Sequence, residues 1–181
     1  PERTAFVWDG GQLTYREALR LIGGMQVAMQ AAGLRDGMRI CLLSSNRAEA
    51  WCAGVAAQGL GLTISWLHPM GSLSDHLDQV ADAEAAGLVV DVPYYRDRGG
   101  ELAAGTGVKA VLTLGPAEFG TDMLAVAAAS GEVEPQDVSS CDSEAMLNYT
   151  GGTTGKAKGV LRRHRGPALA PMAILSDFEL P

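Results

Sequence analysis

Lysine and arginine are scarce in this sequence. They number 14 against 21 acidic residues in a chain of 181, which gives a formal charge of −7. Proteins that bind nucleic acid usually carry a concentrated patch of positive charge. The only short basic run here is formed by Arg162, Arg163, His164 and Arg165. We interpret this run as the solvated end of a strand, so we expect no nucleic-acid partner.

Cysteine is also rare, and no apolar run is long enough to span a membrane. Cys41, Cys52 and Cys141 lack the spacing of a zinc site. The apolar surroundings of the first two are typical of buried thiols in a reducing compartment. The most apolar region, residues 53–67, is broken by Gln58 and three glycines and is too short to cross a bilayer. With no signal segment at the start, the sequence predicts a cytoplasmic protein without a transmembrane segment.

Both ends of the sequence are unusual for a complete protein. No methionine precedes Pro1, and the chain stops at Pro181 directly after an apolar, helix-like run. These two features lead us to expect a truncated chain. Its length is that of one ordinary domain, which is enough to bury a core.

The sequence does contain a regular alternation of strand-like segments and amphipathic helices. Such alternation implies βαβ units, and it predicts an α/β fold with a parallel β-sheet flanked by helices on both faces. No repeat or low-complexity linker divides the chain, so we expect one domain. Strands are predicted at residues 4–8, 12–14, 39–44, 62–67, 88–92, 110–114, 145–150 and 160–164. The later helices are predicted at residues 97–104 and about 118–129, followed by a polar loop at 131–143.

Two pairs of residues have the spacing of a capping box, in which the side chains at the first and fourth positions satisfy free N–H groups of a helix start. Thr14 and Glu17 form the first pair, and Asn46 and Glu49 form the second. They predict the starts of the first two helices. Gly33 is the expected stop of the first helix.

The third helix is predicted to start at Ser72 or Ser74 and to end before Gly87. We place His76 on its polar, solvated side. The inward residues are predicted to be Leu77, Val80 and Ala81, and a solvated acidic face is formed by Asp75, Asp78, Asp82 and Glu84. His68 is interpreted as the end of a strand at a turn, and His164 as a structural or solvent-facing residue.

The segment with the clearest chemical signature is residues 150–159, with the sequence TGGTTGKAKG. Its glycines allow close approach of the backbone to a ligand, and successive N–H groups in such turns form a concave nest for anions. Three threonine hydroxyls add donors, and Lys158 adds a positive charge. We expect an exposed, mobile loop between two antiparallel strands that binds a polyphosphate.

Two familiar phosphate motifs do not fit this loop. A Walker A sequence requires glycine at the position of Thr150 and serine or threonine at the position of Ala157. The dinucleotide fingerprint requires a helix after the loop, whereas residues 160–164 have the pattern of a strand.

The segment resembles the phosphate-loop signature of the adenylate-forming superfamily, which includes acyl-CoA synthetases, firefly luciferase and adenylation domains of nonribosomal peptide synthetases. That signature is Tyr-Thr-Ser-Gly-[Ser/Thr]-Thr-Gly-x-Pro-Lys-Gly-Val. Gly151 replaces its serine, which removes one hydroxyl, and Ala157 replaces its proline, which loosens the loop. The matching residues are Tyr149, Thr150, Gly152, Thr153, Thr154, Gly155, Lys158, Gly159 and Val160. Weaker similarity extends over the whole chain.

This resemblance implies a two-step ligase. ATP and a carboxylic acid, expected to be a fatty acid, would give an acyl adenylate and pyrophosphate with the help of Mg²⁺, and coenzyme A would then accept the acyl group. The implied nucleotide-binding residues are Thr150, Gly151, Gly152, Thr153, Thr154, Gly155 and Lys158. The resemblance implies no catalytic residue and no metal ligand within this stretch, and it leaves a homodimer open.

The resemblance also implies that residues 1–181 are an incomplete N-terminal adenylation domain without the C-terminal domain, and inactive alone. The family's Tyr-Gly-x-Thr-Glu and Thr-Gly-Asp motifs are not found in the sequence. Two alternatives stay open at this stage. One is an aryl- or amino-acid adenylating enzyme that loads a carrier protein. The other is a truncated, non-catalytic protein that binds a nucleotide or a partner.

Overall fold

The computed structural model describes residues 2–151 and 157–166, together with residues 169 and 175. The chain opens with a separate antiparallel hairpin of β1 (Thr4–Trp8) and β2 (Gly11–Thr14). The elements that follow are α1 (Tyr15–Ala31), β3 (Arg39–Leu43), α2 (Ala48–Gly59), β4 (Thr63–Trp66), α3 (Leu73–Asp82), β5 (Gly87–Val90), α4 (Val92–Thr106), β6 (Ala110–Thr113), β7 (Thr121–Asp122), α5 (Met123–Ala129), β8 (Glu144–Thr150) and β9 (Lys158–Arg163).

Seven strands form the main sheet in the order β7-β6-β5-β3-β4-β8-β9. Every neighbouring pair is parallel except β8 and β9, which form an antiparallel hairpin at one edge. The predicted parallel sheet and the predicted antiparallel pair are both confirmed.

Helices cover both faces of this sheet. Alternate residues of the central strands point to opposite sides, and each side is buried in its own core. Ile40 and Leu42 of β3 belong to the core on one side, which includes α1 and α2. Cys41 and Leu43 belong to the core on the other side, with residues of α3 and α4. Helix α5 packs on α1, and α3 packs on α4. The expected layered α/β fold is thus observed.

The first predicted capping box is confirmed, and the second is wrong. Thr14 accepts a hydrogen bond from the N–H of Glu17, whose carboxylate accepts from the N–H of Thr14 at 2.7 Å. At the second site the N-cap is Arg47, without a side-chain cap. The Glu49 carboxylate accepts from the Arg47 guanidinium at 2.7 and 2.9 Å instead. The charge-assisted, bidentate contact between Arg47 and Glu49 forms in place of the predicted capping hydrogen bond.

The third helix begins as predicted at Ser72, which forms a capping box with Asp75. It ends at Asp82, and Gly87 starts strand β5, where a Cβ would lie 2.9 Å from Ile40 Cγ2. Gly87 is therefore a packing glycine and not a helix stop. Ala81, predicted to face inward, is exposed, whereas Val80 is buried.

Helices α4 and α5 also differ from their predicted lengths. Helix α4 runs from Val92 to Thr106, with a non-helical backbone at Tyr95 that follows Pro93 near its start. Helix α5 begins at Met123, because the Asp122 side chain accepts from the N–H groups of Leu124 and Ala125 and caps it there. In the part of the chain that the structure describes, no helix has both the length and the apolar character of a membrane span.

Candidate functional site

The candidate site lies at the turn between β8 and β9. Strand β8 runs parallel to β4, so its end lies at the carboxyl edge of the parallel strands. Ligands of open α/β sheets bind outside this edge. Thr150, the last residue of β8, is directly opposite Lys158, the first residue of β9. The segment predicted to bind phosphate is therefore closed at its base by these two residues.

The described residues of the predicted loop are open to solvent. Thr150, Gly151 and Lys158 are all exposed, and a Cβ on Gly151 would have no atom within 4 Å. The Thr150 hydroxyl lies 3.5 Å from the carbonyl oxygen of Lys158, a long contact across the hairpin. A hydroxyl, a bare backbone and an ammonium group at one place are a suitable donor set for a phosphate. The predictions for Gly152, Thr153, Thr154 and Gly155 lie outside the described residues.

Tyr149, one residue before the loop, is bound to helix α3. Its hydroxyl donates to the Asp82 carboxylate at 2.7 Å and lies 3.4 Å from the carbonyl oxygen of Gln79. Burial, and then the hydrogen bond to Asp82 and its charge, raise the pKa of Tyr149 above its ordinary value. Asp82 was predicted to be one of four solvated acidic residues. All four are exposed, but Asp82 also has this specific partner.

Helix α3 and the hairpin border a groove of about 430 Å³ that reaches the loop. Ala157, directly before Lys158, belongs to its wall. The other lining residues are Asp75, Asp78, Gln79, Ala81, Asp82 and Tyr149. This side of the loop is thus acidic, so a phosphate is expected to approach from the side of Lys158.

His76 corrects a prediction. It was expected on the solvated side of α3, but it is only 1% exposed. Helix α4 covers it, and its Nε2 donates to the carbonyl oxygen of His68 at 2.9 Å. Arg98 donates to the carbonyl oxygen of Gly71 beside it at 2.9 Å. Burial, and to a lesser degree the nearby Arg98 charge, lower the pKa of His76. Both ring nitrogens have partners within the protein, because Nδ1 lies 3.4 Å from the Arg98 guanidinium, so we assign His76 a structural role.

Of the other two histidines, His68 has a side-chain contact that matches its interpretation. The Nε2 of His164 is buried without a hydrogen-bond partner among the described residues, so the role of His164 stays a prediction. Nδ1 of the exposed His68 accepts from the N–H of Met70 at 3.1 Å and so stabilises the turn after β4. The backbone N–H of the half-buried His164 donates to the carbonyl oxygen of Ser143 at 3.1 Å. Neither contact requires a ligand.

A buried polar cluster between β3 and β5 was not found from the sequence. Asp91 is fully buried and accepts from the Ser45 hydroxyl at 2.6 Å, the Ser45 N–H at 3.2 Å and the Arg47 guanidinium at 2.9 Å. The hydrogen bond to Glu49, followed by the Glu49 and Asp91 charges, raises the pKa of Arg47 above its ordinary value. Because each charge is paired, we assign the cluster a structural role.

Two of the three cysteines are buried thiols, whereas Cys141 is exposed. Cys41 and Cys52 are buried, as predicted, and burial raises the pKa of each thiol to about 12. A thiol with such a pKa is protonated and a poor nucleophile at neutral pH. The described residues contain no group of three or more acidic, histidine or cysteine side chains that could hold a metal ion.

A mostly parallel sheet with a glycine- and threonine-rich hairpin at its carboxyl edge defines a class of nucleotide-binding α/β domains. The sequence model of the family described as AMP-binding enzyme matches residues 1–177, so this chain belongs to that family.

Two curated relatives show the range of the family. The chain is 33% identical over 180 residues to a medium/long-chain-fatty-acid–CoA ligase of Mycobacterium tuberculosis, covering 95% of this chain and 31% of that protein. It is 29% identical over 161 residues to a 2-succinylbenzoate–CoA ligase of Bacillus velezensis, covering 88% and 30%. The chain therefore spans about a third of the length of these relatives.

Solved structures have the same fold. The amide bond synthetase McbA of Marinactinospora thermotolerans superposes with a TM-score of 0.84 at 25% identity, over 96% of this chain and 34% of McbA. The ATP-bound MatB of Rhodopseudomonas palustris superposes with a TM-score of 0.80 at 28% identity, over 97% and 35%.

Proposed function

We propose that this chain is the N-terminal part of an enzyme that uses ATP to activate a carboxylic acid as its acyl adenylate. The observation that supports this most directly is the hairpin of β8 and β9, which presents Thr150 and Lys158 together at the carboxyl edge of the sheet. The family match and the ATP-bound relative MatB point to the same nucleotide.

In the proposed reaction, a carboxylate oxygen of the acid attacks the α-phosphorus of ATP. The bond from that phosphorus to the bridging oxygen breaks, and pyrophosphate leaves. We assign the binding of the phosphates to Thr150, Gly151, Gly152, Thr153, Thr154, Gly155 and Lys158. Their donors, and the Lys158 charge above all, would stabilise the negative charge that develops on the leaving pyrophosphate. Mg²⁺, which accompanies ATP, would screen the same charge.

We propose coenzyme A as the acceptor in a second step. Its thiolate would attack the carbonyl carbon of the adenylate and AMP would leave, which gives a thioester. The support is that both curated relatives are named CoA ligases. The amide bond synthetase among the structural neighbours shows that the same fold occurs in a protein named for another bond. A carrier protein, the acceptor in the alternative that the sequence left open, is the other acceptor to test.

For the acid we propose a fatty acid. The support is the name of the relative with 33% identity. An aryl acid is the second candidate, and the 2-succinylbenzoate–CoA ligase favours it. We further propose that residues 1–181 form an incomplete N-terminal domain and that later segments hold adenine, ribose and the acid. The buried thiols suit an enzyme of the cytoplasm.

The test uses the full-length polypeptide that contains this chain. We expect it to exchange labelled pyrophosphate into ATP only when a suitable acid is present, with fatty acids more active than aryl acids in a panel. Coenzyme A should then yield the acyl thioester.

Three other outcomes would change the assignment. No exchange with any acid would contradict adenylation. A preference for aryl acids would make an aryl acid, and not a fatty acid, the assigned substrate. An adenylate that persists with coenzyme A but transfers to a phosphopantetheinylated carrier would replace the acceptor alone.

A further inference from the structure

The strand that leads into the candidate phosphate loop has few hydrogen bonds to the body of the protein near the loop, although Leu147 and Tyr149 pack with the core that includes residues of α3 and α4. In the ladder with β4, β8 has one Cα partner pair, Ile64 with Met146. From Leu147 to Thr150 it pairs only with β9, which is the edge strand of the sheet and is exposed along its whole length. The position of the loop therefore depends on what else holds this part of the hairpin.

Tyr149 provides that attachment through helix α3. Its hydroxyl donates to Asp82 at 2.7 Å and lies 3.4 Å from the Gln79 carbonyl oxygen. Across the described ranges, these are the only side-chain hydrogen bonds between residues 147–151 or 157–161 and another element. A tyrosine hydroxyl is protonated at neutral pH and can donate, and burial and Asp82 raise the pKa of Tyr149 further above its ordinary value.

The Tyr149 ring also touches the opposite side of the loop base. Tyr149 is directly opposite Gly159 in the hairpin. A Cβ on Gly159 would lie 3.5 Å from Cε1 of the ring and 3.0 Å from Cδ1 of Leu147. The ring therefore packs beside the residue that follows Lys158, while its own backbone continues into Thr150. Its orientation affects both strands that enter the loop.

We propose that Asp82 is a positioning residue for ATP, which acts by holding Tyr149 and thereby the relative placement of Thr150 and Lys158. The inference rests on the proposed adenylation function. Asp82 itself does not bind the phosphates. A loop base that is held in place before the ligand arrives loses less conformational freedom on binding, so the affinity for ATP is higher.

The test is a set of variants in the full-length enzyme: Asp82→Ala, Asp82→Asn, Tyr149→Phe and the double variant Asp82→Ala/Tyr149→Phe. The Michaelis constants for ATP and for the acid are measured separately by pyrophosphate exchange. We expect Asp82→Ala and Tyr149→Phe each to raise KM for ATP about fivefold, as for the loss of one partly exposed hydrogen bond. KM for the acid should not change.

Three comparisons separate positioning from general destabilisation. Asp82→Asn keeps an acceptor oxygen for Tyr149, so its KM for ATP should stay within about twofold of the wild-type value. The double variant should have the same KM for ATP as either single variant, because the two substitutions remove the same contact. Asp78→Ala is the matched control, since Asp78 is exposed on the same helix, lines the same groove and has no hydrogen bond to the described residues of the hairpin. This substitution should leave KM for ATP unchanged.

The outcomes distinguish this inference from the proposed function. If wild-type enzyme shows no exchange with any acid, the proposed function fails. If wild-type enzyme is active and Asp82→Ala leaves KM for ATP unchanged, only the positioning role is overturned. A loss of kcat with unchanged KM, or equal effects of Asp82→Ala and Asp82→Asn, would also overturn it.

Discussion

At the scale of single residues, the sharpest question is which positive charge of β9 serves the nucleotide. Lys158 and Arg162 lie on the same strand, four residues apart, so their side chains point to the same face. Both are exposed. They differ in position along the hairpin, because Lys158 is next to the loop and Arg162 pairs with Met146 at the far end.

We predict that Lys158→Ala in the full-length enzyme slows adenylate formation by roughly one to two orders of magnitude. The Lys158 charge acts on the phosphates, so binding of the acid should change much less. Arg162→Ala removes a charge from the same strand and should leave the rate near that of wild type. Single-turnover formation of the acyl adenylate is the measurement. Equal rates for Lys158→Ala and wild type would mean that Lys158 is an ordinary surface lysine.

At the scale of elements, helix α1 contains two adjacent glycines, although glycine has a low propensity for helices. Glycine inside a helix costs about 1 kcal/mol relative to alanine. The reason for both glycines is the close approach of neighbouring segments. A Cβ on Gly24 would lie 2.5 Å from the Cα and 2.6 Å from the Cβ of Ala127 in α5, and a Cβ on Gly23 would overlap the Val133 carbonyl oxygen. The glycines allow α5 and the segment after it to lie directly on α1.

This packing predicts opposite effects for the same substitution in two helices. Gly24→Ala should lower the free energy of unfolding by about 1–3 kcal/mol, because the added methyl group has no space. Gly100→Ala in α4 should be neutral or raise it by up to about 1 kcal/mol, since a Cβ there lies 3.5 Å from Phe119 Cε1, an ordinary contact. Urea unfolding of the 181-residue chain compares the two. A gain in stability from both substitutions would show that α1 and α5 are farther apart than described.

At the scale of the whole molecule, the described residues provide one part of the proposed nucleotide site. The loop donors lie at the carboxyl edge of the sheet, and the charged side chains of the polar cluster at the ends of β3 and β5 are paired with one another. The chain covers 31% and 30% of the two curated relatives. We propose that contacts to the base, the sugar and the acid come from the remaining length.

We therefore predict that the isolated 181-residue chain does not exchange pyrophosphate into ATP and forms no thioester. The physical reason is that an anion-binding loop alone aligns neither the acid nor the α-phosphate, and alignment is a large part of the catalysis of such reactions. The measurement requires a chain of verified mass, with the full-length enzyme as the positive control. Robust exchange by the isolated chain would show that the described fold already contains the missing contacts.

The sequence by itself determined the features that depend on neighbouring residues. The capping box of Thr14 and Glu17, the alternation of strands and helices and the hairpin around residues 150–159 all follow from local spacing, and all three are present as predicted. The family also follows from a local motif, since the residues of a phosphate loop are consecutive in the chain.

Only the tertiary structure decided features that depend on which elements meet. His76 lies on a helix that looks solvated in sequence, yet α4 covers it. Glu49 could cap a helix, yet its carboxylate accepts from Arg47, which is itself bound to Asp91 at the end of another strand. Asp82 and Tyr149 are 67 residues apart, and no periodicity links them. Such contacts arise from the order of strands in the sheet, because that order sets which distant side chains compete for the same partner.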